Sequence, residues 1–288
     1  MTRVLAVIDP RETRHHALDR CAEIPTEADL DIHAVLFVEH ESAETFSKKF
    51  AEKKAWLQKI ITPYIANGYR VTCEVVPFDK LYEAVIETAN RNKSDLVIKP
   101  MRQHSLFETV VRTTTDWNLI RHCPYPLLLV SEKDKIRDEP IVAAVDVCSG
   151  DENHNALNSI VMDEAKRINR VLGGTINLAA AWRASTPMMA VGSVDSTPYP
   201  TPGNLLKEHR EAAAALAAEH HIAAEQVHLE EGTPSQVINA VAREVNAGVI
   251  VIGTVARTGL SGALVGNTAE GVLESSGCDV MVVKLPKA

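Results

Sequence analysis

The stretch Val249-Ile250-Val251-Ile252-Gly253-Thr254-Val255-Ala256-Arg257-Thr258-Gly259-Leu260-Ser261-Gly262-Ala263-Leu264-Val265-Gly266-Asn267-Thr268-Ala269-Glu270 runs from an apolar block, through a glycine-rich loop, into a helical pattern continued by Val272 and Leu273. Consecutive β-branched residues closed off by a glycine read as a strand buried on both faces, the kind found in parallel sheets. A loop between the end of such a strand and the start of a helix presents free backbone N–H groups, and the helix dipole adds to their pull on an anion. The segment thus predicts an α/β fold with a phosphate-accepting turn. The same letters carry a plainer meaning as well. Asn267-Thr268-Ala269-Glu270 is also a capping box, and Gly253, Gly259, Gly262 and Gly266 then do no more than make turns.

Working outward, similar apolar blocks alternate with helical patterns along the whole chain. In the first half they are Val4–Ile8, Ile32–Val38, Val71–Val76, Leu96–Ile98 and Leu127–Val130; in the second, Ile141–Val145, Ile176–Ala181, Val227–Leu229, Val249–Ile252 and Val280–Val283. The order repeats, and so do details. The first strand of each half ends in aspartate, Asp9 and Asp146, and a cysteine introduces the last, Cys123 and Cys278. A repeat of this size is a tandem of domains and not a solenoid. The expected architecture is therefore α/β: two tandem, open, doubly wound parallel five-stranded sheets, at residues 1–133 and 139–288. Between them, Ser131–Pro140 is charged and nearly free of apolar residues, which predicts a solvated boundary. Within the second half, Thr233-Pro234-Ser235-Gln236 sets a helix start, and Val237, Val241 and Val245 follow on one face. Leu81, Val85 and Ala89 repeat that face in the first half. Ala184–Gly203 is an irregular insertion with four prolines and the pair Met188-Met189, read either as a lid or partner contact or as an uninvolved excursion.

The composition, 45% hydrophobic and 24% charged, is that of a globular protein. Basic and acidic side chains number 20 and 21 in residues 1–138 but 10 and 17 in 139–288, so the net charge of −8 sits mostly in the second half. An acidic half and only 5% aromatic residues argue against nucleic-acid binding. No run is long and apolar enough for a membrane span, and the amino terminus is too short and too polar for a signal peptide, which predicts a cytoplasmic protein. Five scattered cysteines without a CxxC predict reduced, mostly buried thiols. The eleven histidines, including His15-His16 and His220-His221, show no metal-ligand spacing.

Ligands of doubly wound sheets sit beyond the carboxyl ends of the strands where the strand order switches. Asp146 and Gly253 end the two strands that should flank this point. Gly253 and Thr254 would let a ligand approach the backbone, Arg257 would reach a phosphate, Gly259 would shape the loop, and Gly266-Asn267-Thr268 would offer amides at a helix start. Together they suit an adenine nucleotide, with Asp146 facing ribose hydroxyls or, through a metal such as magnesium, phosphates. The matching loop of the first half, Lys99-Pro100-Met101-Arg102-Gln103-His104-Ser105, has no glycine, and Pro100 removes an N–H. That half is expected not to bind ATP in this manner, although Asp9 persists. Asp116 is expected to cap or brace a turn, and Trp56 and Trp117 to serve the core or an interface.

These residues resemble the universal stress protein family, whose nucleotide-binding members carry G-x2-G-x9-G-S/T after the fourth strand. Gly253 and Gly266 match, whereas Ala256 and Asn267 depart from it. The resemblance covers nearly the whole chain as two family domains. It is closest to the E branch through Gly266-Asn267-Thr268-Ala269-Glu270 and Thr115-Asp116-Trp117-Asn118-Leu119-Ile120-Arg121-His122-Cys123-Pro124. It implies stress induction, tolerance of DNA-damaging conditions, and an intramolecular pseudo-dimer that either dimerises again as a homodimer or stops there. Neither a GxSxG elbow, a Walker GxxxxGK[ST] loop nor an SGGxDS loop occurs, so the expectation is a binding protein, at most a weak ATPase. Two other readings stay open: an interaction scaffold for a protein partner, and a receptor for a non-nucleotide small molecule.

Overall fold

The computed structural model describes residues 2–39, 43–101, 114–149, 152–183, 202–254 and 267–285. In the first half, β1 (Thr2–Ile8), α1 (His16–Ala22), β2 (Leu30–Glu39), α2 (Ala43–Ala66), β3 (Arg70–Phe78), α3 (Leu81–Asn92), β4 (Leu96–Pro100), α4 (Thr114–His122) and β5 (Leu127–Val130) alternate without exception. The second half repeats the series as β6 (Ile141–Ala144), α5 (Glu152–Leu172), β7 (Ile176–Trp182), α6 (Pro202–His220), β8 (Val227–Glu231), α7 (Pro234–Glu244), β9 (Val249–Thr254), α8 (Asn267–Ser275) and β10 (Asp279–Lys284). All ten apolar blocks are strands. Thr233 caps α7 by accepting the Gln236 N–H, and Val237 and Val241 are buried beneath it.

Both halves order their strands alike, and β5 and β10 join them, so one sheet runs β3-β2-β1-β4-β5-β10-β9-β6-β7-β8. Every pair is parallel except the joint. There Leu127, Leu128 and Leu129 face Val282, Met281 and Val280 in antiparallel register. Leu128 and Met281 occupy equivalent places in the two halves, so the register is symmetric about that pair. An edge strand exposes unpaired backbone groups, and each half covers the other's edge. Apolar cores form on both faces, and each draws on both halves: Leu18, Leu57, Met162 and Ala217 on one, Val85, Leu119, Val237 and Leu273 on the other.

A buried ion pair fastens this joint. Arg20 of α1 reaches across to Asp279 of β10, Nε to Oδ2 at 2.6 Å, and both side chains are shut away from water. Asp279 Oδ1 also accepts from the Ser131 N–H at 2.9 Å and its hydroxyl at 2.8 Å. Arg20 in turn donates to Glu23 and to the Lys133 carbonyl.

The connecting segment is exposed at most of its charged side chains and is also tied to the body along its backbone. Ile136 is buried, and Glu23 Oε2 accepts from the Ile136 and Arg137 N–H groups, each at 2.8 Å. Arg137 donates to the Glu23 carbonyl, Asp138 N–H to the Leu172 carbonyl, and Lys133 pairs with Glu139. The docking runs mainly through the backbone and through buried Ile136, while Glu132, Asp134, Lys135, Arg137 and Asp138 stay exposed. The irregular stretch after β7 lies outside the described residues except at its end, where Pro202 and Gly203 begin α6.

Removing one member of a buried ion pair strands the other charge, at a cost of about 3–5 kcal/mol. Arg20→Met is therefore expected to lower unfolding stability in urea by this order, and adding Asp279→Asn is expected to restore part of the loss. Strictly additive losses in the double variant would show that the two side chains do not act as a pair.

Candidate functional site

At the carboxyl ends of β6, β7 and β9 a cleft of about 540 Å³ opens between the helices of the second half. Its size is that of an ordinary small-molecule pocket. Asp146 follows β6 at its mouth, and Gly253 and Thr254 close β9 along one wall. Thr268 and Ala269 contribute the first turn of α8, His154, Leu157 and Asn158 one side of α5, and His209 a point on α6. Trp182 and Arg183 come from the end of β7, and Gly232 and Pro234 from the turn between β8 and α7. That turn is tied down: the Gly232 N–H donates to the Trp182 carbonyl at 3.0 Å and Arg183 Nε to the Gly232 carbonyl at 3.2 Å. Gly232 adopts φ +155, which favours glycine.

The cleft thus gathers Asp146, Gly253, Thr254 and Thr268, and Asn267 is the first residue of α8. Arg257, Gly259 and Gly266 lie outside the described residues. Asn267 opens α8, and Glu270 in its first turn approaches Arg121 of the first half at 3.5 Å. Gly253 lines the cleft, yet the space its missing side chain leaves is filled from within. A Cβ there would lie 2.4 Å from Leu157 Cγ, so β9 is glycine at this point to admit α5. Thr254 is buried, and its hydroxyl has no partner among the described residues.

Asp146 is held in an unusual way. The Asn158 side chain accepts from the Asp146 N–H at 3.0 Å and donates to the Asp146 carbonyl at 2.7 Å, so one amide stands in for a neighbouring strand. The carboxylate itself accepts only from the Cys148 N–H, at 3.4 Å, among the described residues. Sequence reasoning passed over Asn158, although a signal exists: it is a polar residue within the stripe Leu157, Val161, Met162, Ala165 and Ile168 that α5 buries. His154, Trp182, Arg183 and His209 carry no local signal and are brought in by topology alone.

In the first half the same point is built differently. Arg11 grips the Asp9 carboxylate with Nε at 3.0 Å, Nη2 at 2.8 Å and its own N–H at 3.1 Å. Burial pulls the Asp9 carboxyl up, but the Arg11 hydrogen bonds and charge outweigh it and hold the group below its ordinary value. Pro100 stands where β9 has Gly253. Lys99, buried, meets Asp116 Oδ1 at 2.7 Å and donates to the Pro100 carbonyl at 2.9 Å. Asp116, in the first turn of α4, is therefore half of a buried ion pair. Trp56 and Trp117 pack against the two cores, and Trp56 meets His15 edge-on. His104 and Arg102 lie outside the described residues.

Among the described residues no group of three His, Cys, Asp or Glu side chains is placed to hold a metal ion, and no helix is long and apolar enough to cross a membrane. All five cysteines are free; Cys21, Cys123 and Cys278 are buried and Cys148 is exposed.

Two variants probe these arrangements. Gly253→Ala is expected to destabilise by about 1–3 kcal/mol through overpacking, and much less in a Leu157→Ala background. Equal losses in both backgrounds would remove Leu157 as the cause. Glu12, beside Asp9, has its carboxyl pushed up to about 7 by burial and then by the Asp9 charge. A raised acid stabilises the fold where it is protonated in both states, below about 4.5, and this contribution is lost as pH rises through about 7. Glu12→Gln should consequently melt above the wild type near pH 8 and level with it near pH 4; identical melting at both values would contradict the shift.

The Universal stress protein family model matches residues 1–131 and again 139–284. Universal stress protein E of Salmonella typhi is 30% identical, over 98% of this chain and 93% of its own length. A crystal structure from Pseudomonas aeruginosa UCBPP-PA14, of a protein assigned to the universal stress proteins, is 29% identical with a TM-score of 0.80, covering 98% of this chain and 92% of that one. A universal stress protein from Archaeoglobus fulgidus DSM 4304 shares the fold at 17% identity and a TM-score of 0.69, over 98% of both chains. The chain belongs to the universal stress protein family, with two family domains in one polypeptide.

Proposed function

We propose that this two-domain universal stress protein is a cytoplasmic binding module that takes one adenine nucleotide, and takes it in the second half only. One observation carries the reading: the cleft beyond the carboxyl ends of β6 and β9 presents a carboxylate, Asp146, that accepts a single backbone hydrogen bond among the described residues. A carboxylate offers about four acceptor sites, and a ribose presents two neighbouring hydroxyls to fill them. The surroundings agree with this. Trp182 supplies an aromatic surface, Gly253 and Thr254 a wall, and Thr268 the start of α8, whose dipole favours an anion. Arg257, Gly259, Gly266 and Asn267 are assigned to the phosphates, where magnesium would supply further positive charge. The first half, with Asp9 gripped by Arg11 and Pro100 on its β4, takes no nucleotide.

Binding is the function proposed, because the described lining offers a carboxylate, an aromatic surface and a helix start. The mutual pairing of β5 and β10 uses one edge of each half and leaves β3 and β8 at the ends of the sheet, so a second copy would have to attach elsewhere than at the joint.

Calorimetry with ATP on the purified full-length chain is expected to give one site per chain. Asp146→Ala should weaken it by roughly tenfold or more, the scale of one hydrogen-bonded charge. Asp9→Ala should leave it unchanged. Two sites, no site, or equal sensitivity to both substitutions would sink the assignment.

A further inference from the structure

The two halves fix the same strand-ending aspartate by opposite ends. In the second half a neighbouring amide, Asn158, holds the backbone of Asp146 and leaves the carboxylate to the cleft. In the first half the carboxylate itself is held, by the residue two positions on. The turns are otherwise alike, since the N–H of that residue points at the aspartate Oδ1 in both, from Arg11 at 3.1 Å and from Cys148 at 3.4 Å. The side chain at this position is what meets the carboxylate or does not: a guanidinium that makes a two-pronged contact, against a thiol that makes none. A planar fork of donors is what a carboxylate accepts best, and it covers both oxygens at once.

We propose that the residue two after the strand-ending aspartate decides whether that carboxylate is open to a ligand: Arg11 occupies Asp9 from within the chain, whereas Cys148 leaves Asp146 open. The inference rests on the assignment of Asp146 to the ligand, and it goes further by naming what separates the two halves. Arg11 acts as a resident substitute for the donor groups of a ligand. Its side chain is 61% exposed against 15% for Asp9, so the contact is of surface strength and a few-fold effect is the right scale. Cys148 is exposed and lies outside the cleft lining, which leaves room for a longer side chain there.

The test uses the full-length chain with Cys148→Arg, Cys148→Ser and Arg11→Ala, and reads two quantities. Carbon-detected NMR follows the titration of the Asp9 and Asp146 carboxyls without any ligand, and calorimetry follows ATP. Cys148→Arg is expected to lower the Asp146 midpoint and weaken ATP roughly fivefold or more, while Cys148→Ser changes neither. Arg11→Ala is expected to raise the Asp9 midpoint, since the Arg11 contacts are what hold it down. In an Asp146→Asn background, adding Cys148→Arg should weaken ATP no further. An unmoved Asp146 midpoint in Cys148→Arg, or ATP affinity equal to wild type with the midpoint lowered, overturns the proposal. If the wild type binds no ATP, the nucleotide assignment fails, and the ligand-free titrations still decide whether the arginine governs the carboxylate.

Discussion

The antiparallel pairing of Leu127–Leu129 with Val280–Val282 is the constraint on which the rest of the molecule depends. Either half alone would end at an exposed strand whose side chains are apolar on both faces and whose backbone groups lack partners. Pairing the two edges satisfies those groups and lets both cores continue across the joint. The helices then have no freedom in placement. Those of the first and second halves must share each face, which brings Arg20 against Asp279 on one side and Arg121 toward Glu270 on the other.

Within that frame the two ends of the sheet have diverged in chemistry without diverging in backbone. The first half has replaced glycine with proline at the end of β4, buried a lysine beside it, and supplied that lysine with Asp116. Each change consumes a polar group that a ligand would need. The second half keeps its polar groups uncommitted at the cleft: the Asp146 carboxylate has one backbone donor, and the Thr254 hydroxyl has no partner among the described residues. Leaving polar groups short of partners costs stability, and such sites are where function is found.

The sheet was legible in the sequence because strands buried on both faces are apolar nearly throughout, as in Leu127–Val130 and Val249–Ile252, while the edge strands β3 and β8 admit Glu74 and His228. The duplication was legible for the same reason, with Asp9 and Asp146 as markers. What escaped depended on contacts distant in the chain. The charged stretch 131–140 is largely exposed, as its letters say, but they do not show that Glu23 and Leu172 hold its backbone from far upstream and downstream. Gly253 looked like a residue making way for a ligand, and its missing side chain makes way for Leu157. The letters around Asp116 do not show the Lys99 that β4 sets beside it. Asn158 was readable in principle, as a polar letter in an apolar stripe, and needed the fold to say which backbone it serves.

Joining the halves covalently also changes how the joint responds to mutation. In a symmetric homodimer every contact at the axis occurs twice, so one substitution in the gene alters two places at once. Here the position facing Arg20 is Asp279 in the second half, and its counterpart in the first is Pro126. That contact exists once, in one direction. The axis of this protein is therefore free to accumulate unlike partners, each half changing without obliging the other, and the lock at Arg20 is one product of that independence.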